Sequence, residues 1–135
     1  MKLITRDTDY ALRALCFIAK HKKEIVPVSQ LVEELKIPRP FLRKILQVLN
    51  REKILKSYKG QGGGFLLAVP ARKITLMRLI NIFQGPFRLN ECFFKKELCP
   101  NTAKCGLKQR IDRIEKHLVK ELSAINIGCL LEGRH

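Results

Sequence analysis

Residues 39–69 read RPFLRKILQVLNREKILKSYKGQGGGFLLAV, and the order of features within them decides the fold. Leu42, Ile45, Leu46 and Leu49 recur at i, i+3, i+4 and i+7, one apolar stripe of an α-helix that starts near Pro38. Proline is tolerated in a first helical turn because the N–H it lacks needs no partner there. Arg39, Arg43, Lys44, Gln47 and Arg51 fall mainly off the stripe, so the helix is apolar on one side and basic on the other. Two short strand-like runs follow, Ile54–Lys59 and Phe65–Val69, flanking Gly60-Gln61-Gly62-Gly63-Gly64. Glycine permits positive φ and a tight reversal, so this is a hairpin, closed by Pro70.

Upstream, residues 8–21 (TDYALRALCFIAKH) predict a helix that is apolar over most of its surface and therefore central in the fold. Thr5, Asp7 or Thr8 can cap it, and Asp7 and Asp9 suit the positive end of its dipole. Beyond Pro27 a short second helix is expected, capped by Ser29, with Leu31, Val32 and Leu35 as its apolar face. Downstream, Ile74–Phe83 predicts a helix carrying Leu76, Leu79, Ile80 and Phe83 on one face, stopped by Gly85-Pro86. A loop over 86–104 holds Cys92 and Cys99, and a long helix runs from about Cys105 to about Asn126. Leu107, Ile111, Ile114, Leu118, Leu122 and Ile125 follow one another at spacings of 4, 3, 4, 4 and 3, close to a heptad seam. The seam reads as a dimer interface, the alternative being a helix lying on its own core.

Three helices and then a two-stranded hairpin is the winged helix-turn-helix order. The expected fold is mainly α with a small β-hairpin wing and a long C-terminal dimerisation helix. The chain divides into a DNA-binding domain at 1–84, a cysteine loop at 85–104, and a dimerisation helix and tail at 105–135.

Charge points to the partner. The chain carries 27 Lys and Arg against 12 Asp and Glu, a net of +15, which attracts polyanions. No lipid-anchor motif, membrane-length apolar run or signal-peptide pattern is present, so nucleic acid is favoured over membrane and a cytoplasmic location is expected. Between Arg39 and Lys59 lie seven basic residues (Arg39, Arg43, Lys44, Arg51, Lys53, Lys56 and Lys59) and one acid, Glu52. A solvated helix face mixes signs more evenly. The basic side can enter a major groove, which is wide enough for one helix. Lys59, Gly60, Gln61, Gly62 and Gly63 would let the wing's backbone approach a phosphate or minor groove. The glycines are not a dinucleotide fingerprint, because Phe65 stands where a third glycine is required and a strand-like run follows.

The chain has five cysteines, and three of them, Cys92, Cys99 and Cys105, fall within 14 residues. An odd count without a signal peptide argues against a disulfide framework. The gaps of six and five residues are wider than those of structural zinc pairs and suit a loop around a larger thiolate-bound iron–sulfur cluster. Lys95, Lys96, Lys104 and Lys108 would favour thiolates. Zinc and plain redox-active thiols remain open on spacing alone. So does the remaining coordination position, for which Asp9, Glu91, His117, Cys129 or a small molecule are candidates. Cys16 reads as a small buried hydrophobe, and Cys129 as structural or incidental, with a redox role the alternative. No Cys-x-x-Cys pair, Ser/His/Asp set or paired carboxylates stand out, so an enzyme is not expected.

Nearly all of residues 1–130 resembles the winged-helix iron–sulfur transcription regulators that include IscR and NsrR. The resemblance is carried by Thr8-Asp9-Tyr10-Ala11-Leu12-Arg13, Phe41-Leu42-Arg43-Lys44-Ile45-Leu46, Lys59-Gly60-Gln61-Gly62-Gly63-Gly64-Phe65-Leu66-Leu67, and the cysteine trio. It implies a homodimer on palindromic double-stranded DNA operators, with Pro40, Phe41, Arg43 and Lys44 in the major groove and the wing, beginning at Lys59, in the minor groove. Arg43 stands where IscR has an acid, which implies a different operator, since Arg prefers guanine edges. Cys92, Cys99 and Cys105 match the family's ligands. Lys108 replaces the IscR histidine, and Asp9 matches the aspartate that NsrR-like proteins donate across the dimer. An NsrR-like set implies a four-iron cluster that nitric oxide destroys, with a two-iron cluster the alternative. The expected function is a repressor that senses nitric oxide, redox state or iron–sulfur status. Zinc-stabilised or cluster-free nucleic-acid binding and thiol-redox sensing are the rival readings.

Overall fold

A computed structural model describes residues 3–21, 24–89 and 106–133. The elements run α1 (Arg6–Lys20), α2 (Val28–Leu35), α3 (Arg39–Arg51), β1 (Leu55–Tyr58), β2 (Gly64–Leu67), a 3-10 turn (Ala71–Lys73), α4 (Leu76–Gln84), α5 (Gly106–Ala124) and α6 (Ile127–Leu131). The expected fold class holds: a mainly helical chain with one two-stranded antiparallel hairpin.

α1 is the central helix. It touches α2, α3, α4, α6 and β2, and buries Ala11, Ala14, Leu15, Ile18 and Ala19. Of the three candidate caps the structure uses Thr5, whose side chain accepts from the Thr8 N–H, so the helix begins at Arg6. α3 lays Leu42, Ile45, Leu46 and Leu49 into the same core, each no more than 2% exposed. A truncation such as Leu→Ala in this layer costs on the order of 2–5 kcal/mol.

Several local expectations are corrected. α2 is not capped by Ser29: its N-cap is Pro27, with no side-chain cap bond, and Ser29 lies in the first turn. The strands are shorter than the apolar runs, pairing only Leu55 with Leu67 through Tyr58 with Gly64. α4 starts after Thr75, whose hydroxyl accepts from the Arg78 N–H, rather than at Ile74. α5 stops at Ala124 because Asn126 is committed elsewhere: its Oδ1 caps α6 through the Cys129 N–H at 2.8 Å.

α6 packs on α1 and puts Ile127 fully into the core. Backbone bonds from the Leu76 N–H to the Ile125 carbonyl (2.9 Å) and from the Ile127 N–H to the Ile74 carbonyl (3.0 Å) strap this end of the chain to the start of α4. Leu122, with Val119 and Ile125 beside it, packs on Leu76, Met77 and Ile80. The C-terminal part of the apolar seam therefore lies on its own domain. Its N-terminal part does not: Leu107 is 67% and Ile114 52% exposed. Among the described residues no helix is long and apolar enough to cross a membrane.

Candidate nucleic-acid interface and cysteine segment

Burying the leucine stripe of α3 turns its other side outward. Arg39, Pro40, Phe41, Arg43, Lys44, Gln47 and Arg51 are all exposed. The first turn of α3 is held by α1, because the Arg6 guanidinium lies 4.6 Å over the Phe41 ring. A cation over an aromatic face is drawn by the ring's quadrupole. At the other end, Lys53 takes φ +63°, its N–H bonds the Asn50 carbonyl at 3.0 Å, and the Ile54 N–H bonds the Leu49 carbonyl at 3.0 Å. These are the two bonds of a Schellman cap, with lysine where glycine is usual. α2 likewise ends on a left-handed lysine, Lys36, at φ +54°.

The wing is fixed by two kinds of glycine. Gly60-Gln61-Gly62-Gly63 is a β-turn closed by the Gly63 N–H on the Gly60 carbonyl at 3.0 Å, and Gly62, at φ +75°, sits where a type II turn needs positive φ. Gly64 serves packing instead: a Cβ there would lie 2.3 Å from the Val26 carbonyl oxygen. Val26 pairs with Phe65 as an isolated bridge and so ties the wing to the turn before α2. Lys59, Gly60, Gln61 and Gly62 are exposed at the tip, and Gly63 is half-buried.

Between α3 and β1 lies a groove of about 550 Å³ lined in part by Asn50, Lys53, Lys56, Ser57 and Tyr58. Both lysines belong to the basic run between Arg39 and Lys59, whereas Asn50, Ser57 and Tyr58 carry no charge that marks them in the sequence. The signal was available in Tyr58, an aromatic at the end of β1 between the polar Ser57 and Lys59. An aromatic at 43% exposure beside Lys59 can lie against a sugar or a base.

Of the proposed metal ligands, Cys92, Cys99 and Cys105 lie outside the described residues. Asp9 is described: it stands in the first turn of α1, its carboxylate 3.1 Å from Arg13 Nε, with 39% of the side chain exposed. That ion pair is solvent-accessible and contributes at most about 1 kcal/mol. His117 is exposed on α5, and Cys129 is half-buried. Cys16 is half-buried, and burial pushes its thiol above the ordinary value, with Lys20 pulling the other way.

The sequence profile of the Rrf2 family, described as an iron-dependent transcriptional regulator, matches residues 4–133. The HTH-type transcriptional regulator NsrR of Oceanobacillus iheyensis is 34% identical over 128 residues, covering 93% of this chain and 87% of that protein. CymR, the global cysteine regulator of B. subtilis, shares the fold at a TM-score of 0.81 and 22% identity over the full length of both chains. IscR of T. potens does so at 0.76 and 20% identity, covering 98% of this chain and 88% of that one.

Proposed function

The chain belongs to the Rrf2 family, whose members are transcription regulators and not enzymes, and we propose that it is a cytoplasmic homodimeric repressor whose hold on DNA is set by an iron–sulfur cluster. The observation that carries the DNA half is the division of α3, with Leu42, Ile45, Leu46 and Leu49 buried and Arg39, Arg43, Lys44, Gln47 and Arg51 exposed beside the wing. Arg43, Lys44 and Gln47, with Pro40 and Phe41 at the helix start, read base edges in a major groove. Arg39, Arg51 and Lys59 meet phosphates, and Gly60, Gln61, Gly62 and Gly63 enter the adjacent minor groove. The exposed Leu107 and Ile114 pair α5 with a second copy. Two copies related by a twofold axis then match a palindromic operator, with half-sites about one helical turn apart.

The sensing half rests on the donor set. Three thiols within 14 residues, among lysines, fit iron and sulfide. Cys92, Cys99 and Cys105 would hold the cluster, with Asp9 as the fourth ligand once its carboxylate leaves Arg13. When bound, a four-iron or two-iron cluster supplies a cross-link that nitric oxide or oxidants can remove. The cysteine segment joins α4 to α5, so gaining or losing that cross-link resets the packing of the two helices. It thereby resets the spacing of the two α3 helices on DNA.

The competing reading is cluster-free thiol sensing, favoured by the shared fold with a cysteine regulator. A zinc-stabilised nucleic-acid binder is the third. Anaerobic purification with iron, sulfide and zinc counts separates them. Matched iron and sulfide on a brown protein supports the cluster, and their ratio per chain gives its size. Zinc without sulfide, or a colourless protein after reconstitution, overturns it.

A further inference from the structure

Gln84 ends α4 and uses its side-chain amide from both sides. Its Oε1 accepts from the Thr5 backbone N–H at 3.0 Å and from the Thr8 hydroxyl at 2.7 Å, and its Nε2 donates to the Leu3 carbonyl at 3.1 Å. Thr8 is fully buried, the one non-glycine polar residue so placed among the described residues. Thr5 is the cap of α1, so these bonds fix where α1 begins. The next residue, Arg6, lies over Phe41 in the first turn of α3. A continuous path of contacts thus runs from the end of α4, through the α1 cap, to the leading end of the helix that meets DNA.

We infer that Gln84 is a positioning residue for DNA recognition. By holding the Thr5–Thr8 cap it holds Arg6 on Phe41, and so sets how the first turn of α3 meets a base edge. The inference rests on the DNA-binding reading above. Reading a base edge requires a side chain to be placed closely, whereas sequence-independent binding is phosphate electrostatics, which a neutral amide does not alter.

The test uses the full-length chain, metal-free and after anaerobic reconstitution with iron and sulfide, and two variants. Gln84→Leu removes the amide at similar size, and Thr8→Val removes the hydroxyl donor while leaving Gln84 intact. The probes are the duplex that the parent enriches from a random-sequence pool and a scrambled duplex of the same composition. Each variant is expected to bind the enriched duplex about tenfold more weakly and the scrambled duplex within about twofold of the parent. In the same variants the side-chain Nε–H resonance of Arg6, shifted by the Phe41 ring in the parent, moves to the position of a solvent-exposed arginine. Equal losses on both duplexes mark Gln84 as merely structural and overturn the inference. So does an Arg6 resonance that stays in place. If the parent enriches no duplex in either form, the DNA-binding reading fails, and the Arg6 resonance alone decides whether Gln84 governs the contact with α3.

Discussion

Val26 and Phe65 exchange two backbone hydrogen bonds: the Val26 N–H donates to the Phe65 carbonyl at 3.0 Å, and the Phe65 N–H returns a bond at 2.9 Å. This pair, 39 residues apart in the chain, makes the wing part of the domain rather than a free hairpin. An isolated two-stranded hairpin is marginal in water, so the wing's angle depends on this bridge.

Gly64 lies at the point of closest approach to that bridge. Gly64→Ala would drive a Cβ to 2.3 Å from the Val26 carbonyl oxygen and 2.5 Å from its carbon, both backbone atoms that cannot yield alone. We expect a loss of about 2–3 kcal/mol in urea unfolding, as for other overpacked sites. Gly62→Ala meets nothing within 4 Å and carries only the strain of φ +75°, about 1 kcal/mol. Equal losses for the two would show that the Val26 approach is not the constraint.

Lys53 caps α3 at a positive φ and leaves its charge exposed beside the wing. Lys53→Gly relieves a positive φ of 63° in a lysine and should raise stability by about 0.5–1 kcal/mol. The same variant should bind DNA more weakly and lower the slope of log affinity against log salt by about 1, as for loss of one phosphate contact. A variant that is both less stable and unchanged in salt slope contradicts this reading.

In the proposed function Arg43 reads a base edge and Lys59 holds a phosphate, two roles that substitution should separate. Arg43→Ala should cost about 1–3 kcal/mol on the preferred duplex and relax discrimination at one base position. Lys59→Ala should weaken binding to all duplexes alike and reduce the salt slope by about 1. Competition binding across single-base variants at several salt concentrations reads both. A sequence-independent loss for Arg43→Ala would remove it from the base-reading set.

The exposed end of α5 should carry the dimer contact. Light scattering is expected to give twice the 15.6 kDa chain mass for the parent. Ile114→Glu, which places a charge where an apolar side chain is now 52% exposed, should give the single-chain mass at micromolar protein. A parent that is monomeric, or a variant that remains a dimer, places the contact elsewhere.

The winged-helix part was legible because its signals are local. The i, i+3, i+4, i+7 stripe of α3 and the glycine run need no distant partner to be recognised. What escaped was non-local or lacked the usual residue. Val26 before α2, Ile127 in the tail and the Gln84 amide acquire their roles only from partners about 40 to 80 residues away. α2 and α3 end on Lys36 and Lys53, so no glycine marks their caps. Ser29 looked like a cap because its residue type is right, but the chain enters α2 in the extended form fixed at Pro27, two residues earlier. The heptad seam was legible as apolar spacing. Its division into a part on α4 and a part left outward, at Leu107 and Ile114, depends on where α4 lies, which spacing does not encode.

The most direct test of the account measures the affinity of the anaerobic full-length chain for its preferred duplex, before and after reconstitution with iron and sulfide. The parent is compared with Cys92→Ala, Cys99→Ala and Cys105→Ala. The account predicts a difference of about tenfold or more between the two forms of the parent, in the range of ordinary allosteric coupling, and less than about twofold in each variant. A parent indifferent to reconstitution, or three variants that respond as the parent does, would contradict it.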